Sequence, residues 1–131
     1  MASEFSKALD VTASGLKAQA TRLRHLSENI SNAETPGYRR KTVSFQAEVE
    51  QQTGVSKVKA SRPELDSGEL KRIYDPQHPM ADETGHYDGS NVNLLIELAD
   101  AREAQRSYEA NLKIFEQTRA MSSSLLELLR R

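Results

Sequence analysis

Near the start of the chain an apolar residue recurs every seven positions: Leu9, Leu16, Leu23 and Ile30, with Ala13, Ala20 and Ser27 at the complementary positions. A strict seven-residue repeat keeps one seam of a helix turned toward a partner helix. Large and small residues alternate along this seam, which lets a neighbour approach closely. A second stripe, Leu98, Ala101, Ala104, Tyr108, Leu112, Phe115, Leu125 and Leu129, runs toward the other end and is interrupted by Gln105, Asn111 and Arg119. Within a seam, a polar residue such as Gln105 or Asn111 fixes register and partner number while lowering stability. Beside the seam it is merely solvated, and the pattern leaves both readings open.

The first helix is predicted from about Ser3, as N-cap with Glu4 in the first turn, to about Ala33. Thr35-Pro36-Gly37 ends it, because proline cannot continue the hydrogen-bond ladder and glycine opens turn geometry. The period then changes to two. Val43, Phe45, Ala47 and Val49 face one way and Ser44, Gln46, Glu48 and Glu50 the other, the pattern of a half-buried strand. Shorter strands are predicted around Val55 to Ala60 and Leu70 to Tyr74, separated by the turn-like Ser61-Arg62-Pro63 and Asp66-Ser67-Gly68. Residues 75–89, with Pro76, Pro79, Gly85 and Gly89, read as a loop. The second helix begins near Asn91 to Asn93 and continues to the C-terminus, where Arg130 and Arg131 oppose the helix dipole. The expected fold is mainly α with a small β segment. Residues 1–35 and 91–131 form a discontinuous terminal-helix domain, paired as a coiled coil, and residues 36–90 form a short antiparallel β region with loops. Helices this long are marginal in water unless their stripes are buried, by each other or by neighbours.

Composition narrows the class. A chain of 131 residues suits one domain, and a hydrophobic content of 37% leans low for a compact globule. With 18 basic and 19 acidic residues the net charge is -1, so no global field draws in nucleic acid or anionic lipid. Cysteine is absent, which excludes disulfides and thiolate metal sites. Ser3 to Ala20 lacks a basic stretch followed by an apolar core, so no cleaved secretion signal is expected. No apolar run approaches the roughly 20 residues of a membrane span.

Candidate chemistry is sparse. His78, Asp82, His86 and Asp88 share one loop and carry metal-ligating atoms, but their spacing does not by itself create convergence. Residues 82–93 misplace the oxygen ligands and central glycine of a calcium-binding EF-hand loop. No nucleophile-elbow serine and no phosphate-binding glycine loop is present. Arg39-Arg40-Lys41 beside Tyr38 is the densest basic run and could touch a nucleic-acid backbone. A solvated strand entry, or pairing with acidic groups, explains the run better. No catalytic residue, cofactor, metal or nucleic-acid partner is therefore assigned.

Two segments carry a resemblance. Ser27-Glu28-Asn29-Ile30-Ser31-Asn32-Ala33, followed by Thr35-Pro36-Gly37-Tyr38-Arg39-Arg40, resembles the N-terminal motif of the axial proteins of the bacterial flagellum. Tyr74-Asp75-Pro76, His78-Pro79, Ala81-Asp82 and Gly85, leading to Asn91-Val92-Asn93 and then Arg106-Ser107-Tyr108-Glu109-Ala110-Asn111, is similar to the short rod members of that family. Ser31 stands where alanine is usual, His86-Tyr87 where an aromatic followed by valine is usual, and Ser90 where proline is common. The resemblance implies a structural subunit of the proximal rod of the basal body, crossing the periplasm and exported by the flagellar type III apparatus without signal cleavage. It implies terminal helices packed as an inner tube around a central channel, with other rod proteins, basal-body adaptor proteins, copies of itself and the export apparatus as partners, and no membrane insertion. The interface residues then expected are Leu9, Ala13, Leu16, Ala20, Leu23, Asn29, Ile30, Asn32, Tyr108, Asn111, Leu112 and Phe115. Rival readings are another rod or inner-rod subunit of a type III secretion system, and a self-folded helical adaptor.

Overall fold

The computed structural model describes residues 2–130, with side chains from residue 4 onward. Its elements are α1 (Ala2–Ser31), β1 (Lys41–Thr42), β2 (Phe45–Val49), β3 (Ser56–Ala60), β4 (Glu64–Leu65), β5 (Arg72–Tyr74), β6 (His86–Asp88) and α2 (Leu94–Arg130). The fold is mainly α with three small antiparallel pairs, β1 with β4, β2 with β3 and β5 with β6. α1 has 30 residues and α2 has 37, so the rods are about 45 and 55 Å long.

The chain divides into two compact units. One holds residues 1–23, 44–61 and 103–131; the other holds residues 24–43 and 62–102. In the first unit, the first two-thirds of α1 and the later part of α2 run side by side in opposite directions. Arg22 reaches Glu103 at 3.9 Å. A Cβ on Gly15 would lie 3.3 Å from Nδ2 of Asn111, and Phe5 lines the same open groove as Met121, Leu125 and Leu128. The β2–β3 hairpin leans on α1, where the amide of Val58 donates to Oγ of Ser14 at 3.1 Å. Among the described residues of this unit only Ala18 and Ala104 are buried.

The second unit has a denser centre. Leu26, Ala33 and Val92 are buried there together with His25, Asn29, Ser90 and Glu97. α1 ends in a series of tight turns: the amide of Asn32 donates to the Glu28 carbonyl, Ala33 to Ile30 and Thr35 to Asn32. Gly37 then adopts φ 74°, the left-handed conformation that releases the chain from helix geometry. Thr35-Pro36-Gly37 thus marks the predicted stop. α2 is capped by Asn93, whose Oδ1 accepts from the amides of Leu95 at 3.1 Å and Ile96 at 3.4 Å, the bonding expected of an N-cap asparagine.

Several expectations need correction. Ser3 lies inside the first turn of α1 and does not precede it, and Arg131 lies outside the described residues. The strand predicted over residues 43–49 begins only at Phe45, and all five of its residues are exposed. The alternation is present, but no second layer among the described residues covers its apolar side. Leu70 precedes β5, and the predicted loop 75–89 contains β6. Leu98 and Leu129 of the second stripe are 49% and 74% exposed.

Candidate assembly site

The motif segments meet in a polar clasp. Asn29, on the last full turn of α1, is fully buried, and its carboxamide is saturated within the chain. Oδ1 accepts from the Lys41 amide at 2.8 Å and from the Tyr38 hydroxyl at 2.9 Å. Nδ2 donates to the Lys41 carbonyl at 2.9 Å and to Oε2 of Glu97 at 3.3 Å. Glu97, 1% exposed, sits in the first turn of α2, where the helix dipole favours a carboxylate. Nε of Arg40 donates to its Oε1 at 2.5 Å, and NH1 of the same guanidinium donates to Oδ2 of Asp66 at 3.1 Å.

Asn91 closes the ring from the other side. Its Oδ1 accepts from the Arg40 amide at 2.7 Å, and its Nδ2 donates to the Asp66 carbonyl at 3.1 Å. Asp66 forms a tight turn by accepting from the Gly68 amide at 2.7 Å. Arg39 spans that turn, donating to the carbonyls of Asp66 and Gly68. A buried charge is stable only when paired and hydrogen-bonded, and here Glu97 has both. Burial pulls the Arg40 guanidinium down, but the bonds to Glu97 and Asp66 outweigh it and raise its pKa. Burial raises the Tyr38 phenol. At the rim, Lys41 and Glu28 pair at 2.7 Å, raising the ammonium and lowering the carboxyl.

The loop motif forms a second local structure. Oδ1 of Asp82 accepts from the Thr84 hydroxyl at 2.6 Å, the Thr84 amide at 2.9 Å and the His86 amide at 3.1 Å, while Oδ2 accepts from Arg72 at 3.0 Å. The Thr84 hydroxyl and the His86 amide hold its carboxyl far below the usual carboxylate range. Gly85 has φ 81°, and a Cβ there would lie 2.9 Å from the Tyr74 ring and 3.1 Å from Pro76. The glycine is therefore required twice over. His78 stacks on Tyr87 with ring centroids 3.8 Å apart, and its Nδ1 accepts from the Met80 amide. The His86 ring lies 5.1 Å from that of Tyr74 and Asp88 pairs with Arg72 at 3.6 Å, so the four loop residues weighed as metal ligands have other engagements. Among the described residues no three His, Asp or Glu side chains gather as a metal site, and no helix is long and apolar enough to cross a membrane.

The expected interface residues divide into groups. Leu9, Leu16, Leu23 and Ile30 on α1, and Tyr108, Asn111, Leu112 and Phe115 on α2, are half-buried; Ala13 and Ala20 are exposed. Asn111 faces Gly15, whereas Gln105 is exposed and reaches Glu109 on its own helix. Asn32 is used locally, donating to the Glu28 carbonyl and accepting from the Thr35 hydroxyl. Asn29 is the interior hub of the clasp. Glu97, Asp66 and Asn91 are members of the clasp that periodicity did not single out. A lone carboxylate in Leu94-Leu95-Ile96-Glu97-Leu98 was the available signal for the first of them.

Comparison with known proteins follows the same two segments. Residues 9–39 match the family described as flagella basal body rod protein, and residues 83–128 match the C-terminal region of the flagellar basal body rod FlgEFG proteins. The class is that of structural flagellar rod proteins, which are not enzymes. Three relatives, each named flagellar basal-body rod protein FlgC, come from Agrobacterium fabrum, Aquifex aeolicus and Salmonella typhimurium. The first is 48% identical over 96% of both chains. The second is 37% identical over 95% of this chain and 96% of the relative, and the third 35% identical over 91% and 93%. The chain belongs to the FlgC family of flagellar basal-body rod proteins.

Proposed function

We propose that this rod subunit acts in the proximal rod, polymerising with other rod proteins to transmit motor torque around a central export channel. In this reading residues 1–35 and 91–131 form a terminal-helix domain paired as a coiled coil, and residues 36–90 are a connecting segment outside it. The observation that carries the reading is the incompleteness of the helical stripes. Val11, Ile114, Met121, Leu126, Leu128 and Leu129 are all more than one-third exposed, on helices too long for a chain of 131 residues to cover. Heterologous contacts between successive subunits supply the missing cover and build an open filament. Leu9, Ala13, Leu16, Ala20, Leu23, Ile30, Tyr108, Asn111, Leu112 and Phe115 form the interface; Asn29 and Asn32 serve it by fixing how α1 ends. Function in the rod places the chain across the periplasm, reached through the type III apparatus without signal cleavage, with basal-body adaptor proteins among its neighbours.

Leu16→Asp tests the seam. The side chain is only half-buried, so the variant retains the circular dichroism spectrum of the monomer, yet it is expected to be absent from purified rods. Normal motility with normal recovery of Leu16→Asp in rods would remove the seam from the interface.

A further inference from the structure

The β2–β3 hairpin has one finished edge and one open edge. The Glu50 amide donates to the Val55 carbonyl at 2.9 Å, and the Ser61 amide to the Ser44 carbonyl at 2.8 Å. In an antiparallel ladder hydrogen-bonded and non-bonded pairs alternate. Between those two fixed pairs, Gln46–Lys59 and Glu48–Lys57 are therefore bonded, while Phe45–Ala60, Ala47–Val58 and Val49–Ser56 are not. The outward amide of Val58 on β3 meets Ser14 of α1. On β2 the amides and carbonyls of Phe45, Ala47 and Val49 point away from the hairpin, and among the described residues β2 pairs with no other strand.

The two faces of β2 differ in chemistry. Phe45, Ala47 and Val49 lie on one face, with Phe45 40% and Val49 60% exposed. Gln46 and Glu48 lie on the other, continued just past the strand by Glu50, and the two carboxylates are paired with the ammonium groups of Lys59 at 3.8 Å and Lys57 at 3.1 Å. β3 displays the complement that this strand accepts: Lys57 and Lys59 on the acidic face, Val58 and Ala60 on the apolar one. Natural sheets protect an edge with proline, a bulge, an inward charge or surface charge; β2 has no proline and no bulge, and its one charged side chain, Glu48, is already paired with Lys59. A two-stranded hairpin is also marginal alone.

We propose that the outer edge of β2 is a strand-addition site for an extended segment of an adjacent rod subunit, in which lysine or arginine alternates with small apolar residues. Backbone bonds to Phe45, Ala47 and Val49 supply affinity, and the alternation supplies register. The proposal rests on the rod reading and adds a contact outside the terminal helices.

The test compares amide exchange of the full chain as a free monomer and within purified rods, together with rod recovery of Ala47→Pro and, as a control, Ala47→Val. Proline at this position removes an outward amide and leaves the β2–β3 bonds intact, as edge positions allow. The expected result is protection of the Phe45, Ala47 and Val49 amides at least 100-fold greater in rods. Ala47→Pro, with an unchanged monomer spectrum, should fall at least tenfold in recovery while Ala47→Val is retained. Equal exchange at these amides in rods and monomer, with wild-type chain present in the rods, overturns the strand-addition site alone. Absence of wild-type chain from rods overturns the rod reading itself.

Discussion

The two compact units solve different problems with the same two helices. In the unit of residues 24–43 and 62–102, a buried Asn29 and a buried Glu97 have their hydrogen bonds filled by Tyr38, Arg40 and Lys41. In the unit of residues 1–23, 44–61 and 103–131, two alanines are the buried residues among those described, and long apolar side chains face outward. A polar network specifies one arrangement because every alternative strands a buried donor or charge. A half-covered apolar stripe specifies much less, and accepts cover from another chain. One part of the subunit is therefore finished on its own, and the other is left with the open stripes that the proposed assembly would cover.

The largest expected effect comes from breaking the finished unit. Glu97→Ala leaves Arg40 with only Asp66 and removes an acceptor from Asn29, costing about 3–5 kcal/mol as judged from buried ion pairs that lose one partner. Thermal unfolding followed by circular dichroism should show the loss; a loss below about 1 kcal/mol would show that the clasp does not hold this unit. Gly85→Ala comes next. Its φ of 81° and the 2.9 Å approach to Tyr74 predict a penalty of about 1–3 kcal/mol, read in the same melt.

Acid should act unequally on the two units. Asp82, Asp66 and Glu28 in the clasp unit have carboxyls held below their ordinary values of 3.8, 3.8 and 4.5; in the other unit Glu50 alone among the described residues is so held. A lowered folded pKa stabilises fully above the unfolded value and is lost as pH falls through the folded one. Amide exchange in residues 62–90 should therefore accelerate as pH drops below about 4, after correction for intrinsic rates. Asp82→Asn should weaken this unit at neutral pH and flatten its acid response. The smallest effect is expected at Gly15→Ala. Alanine favours a helix interior by about 0.8–1.0 kcal/mol, and the new Cβ meets only the movable end of Asn111 at 3.3 Å. Stability should change by less than about 1 kcal/mol; a larger loss would mean that this unit is as tightly packed as the other.

What the sequence made legible follows the same division. Seven-residue spacing and Thr35-Pro36-Gly37 located α1 and its stop, and Asn93 capped α2 where an asparagine was expected. Periodicity reports a covered face only when the chain itself supplies the cover. The alternation over residues 43–49 therefore predicted a strand correctly from Phe45 onward, but wrongly predicted its burial. β1, β4 and β6, of two or three residues each, are too short to show any period. The clasp was half visible. Asn29, Tyr38, Arg40 and Asn91 stood in the quoted motifs, but their convergence on Glu97 and Asp66 joins positions 25 to 68 residues apart, beyond the reach of local pattern.

Peptide-resolved amide hydrogen exchange on the purified monomer at neutral pH distinguishes a finished unit from an unfinished one. Strong protection is expected across residues 24–43 and 62–102, with fast exchange through residues 2–23 and 103–130. Strong protection of both outer helical segments in a confirmed monomer would contradict it, and would describe a chain that covers its own stripes and has no need of neighbours.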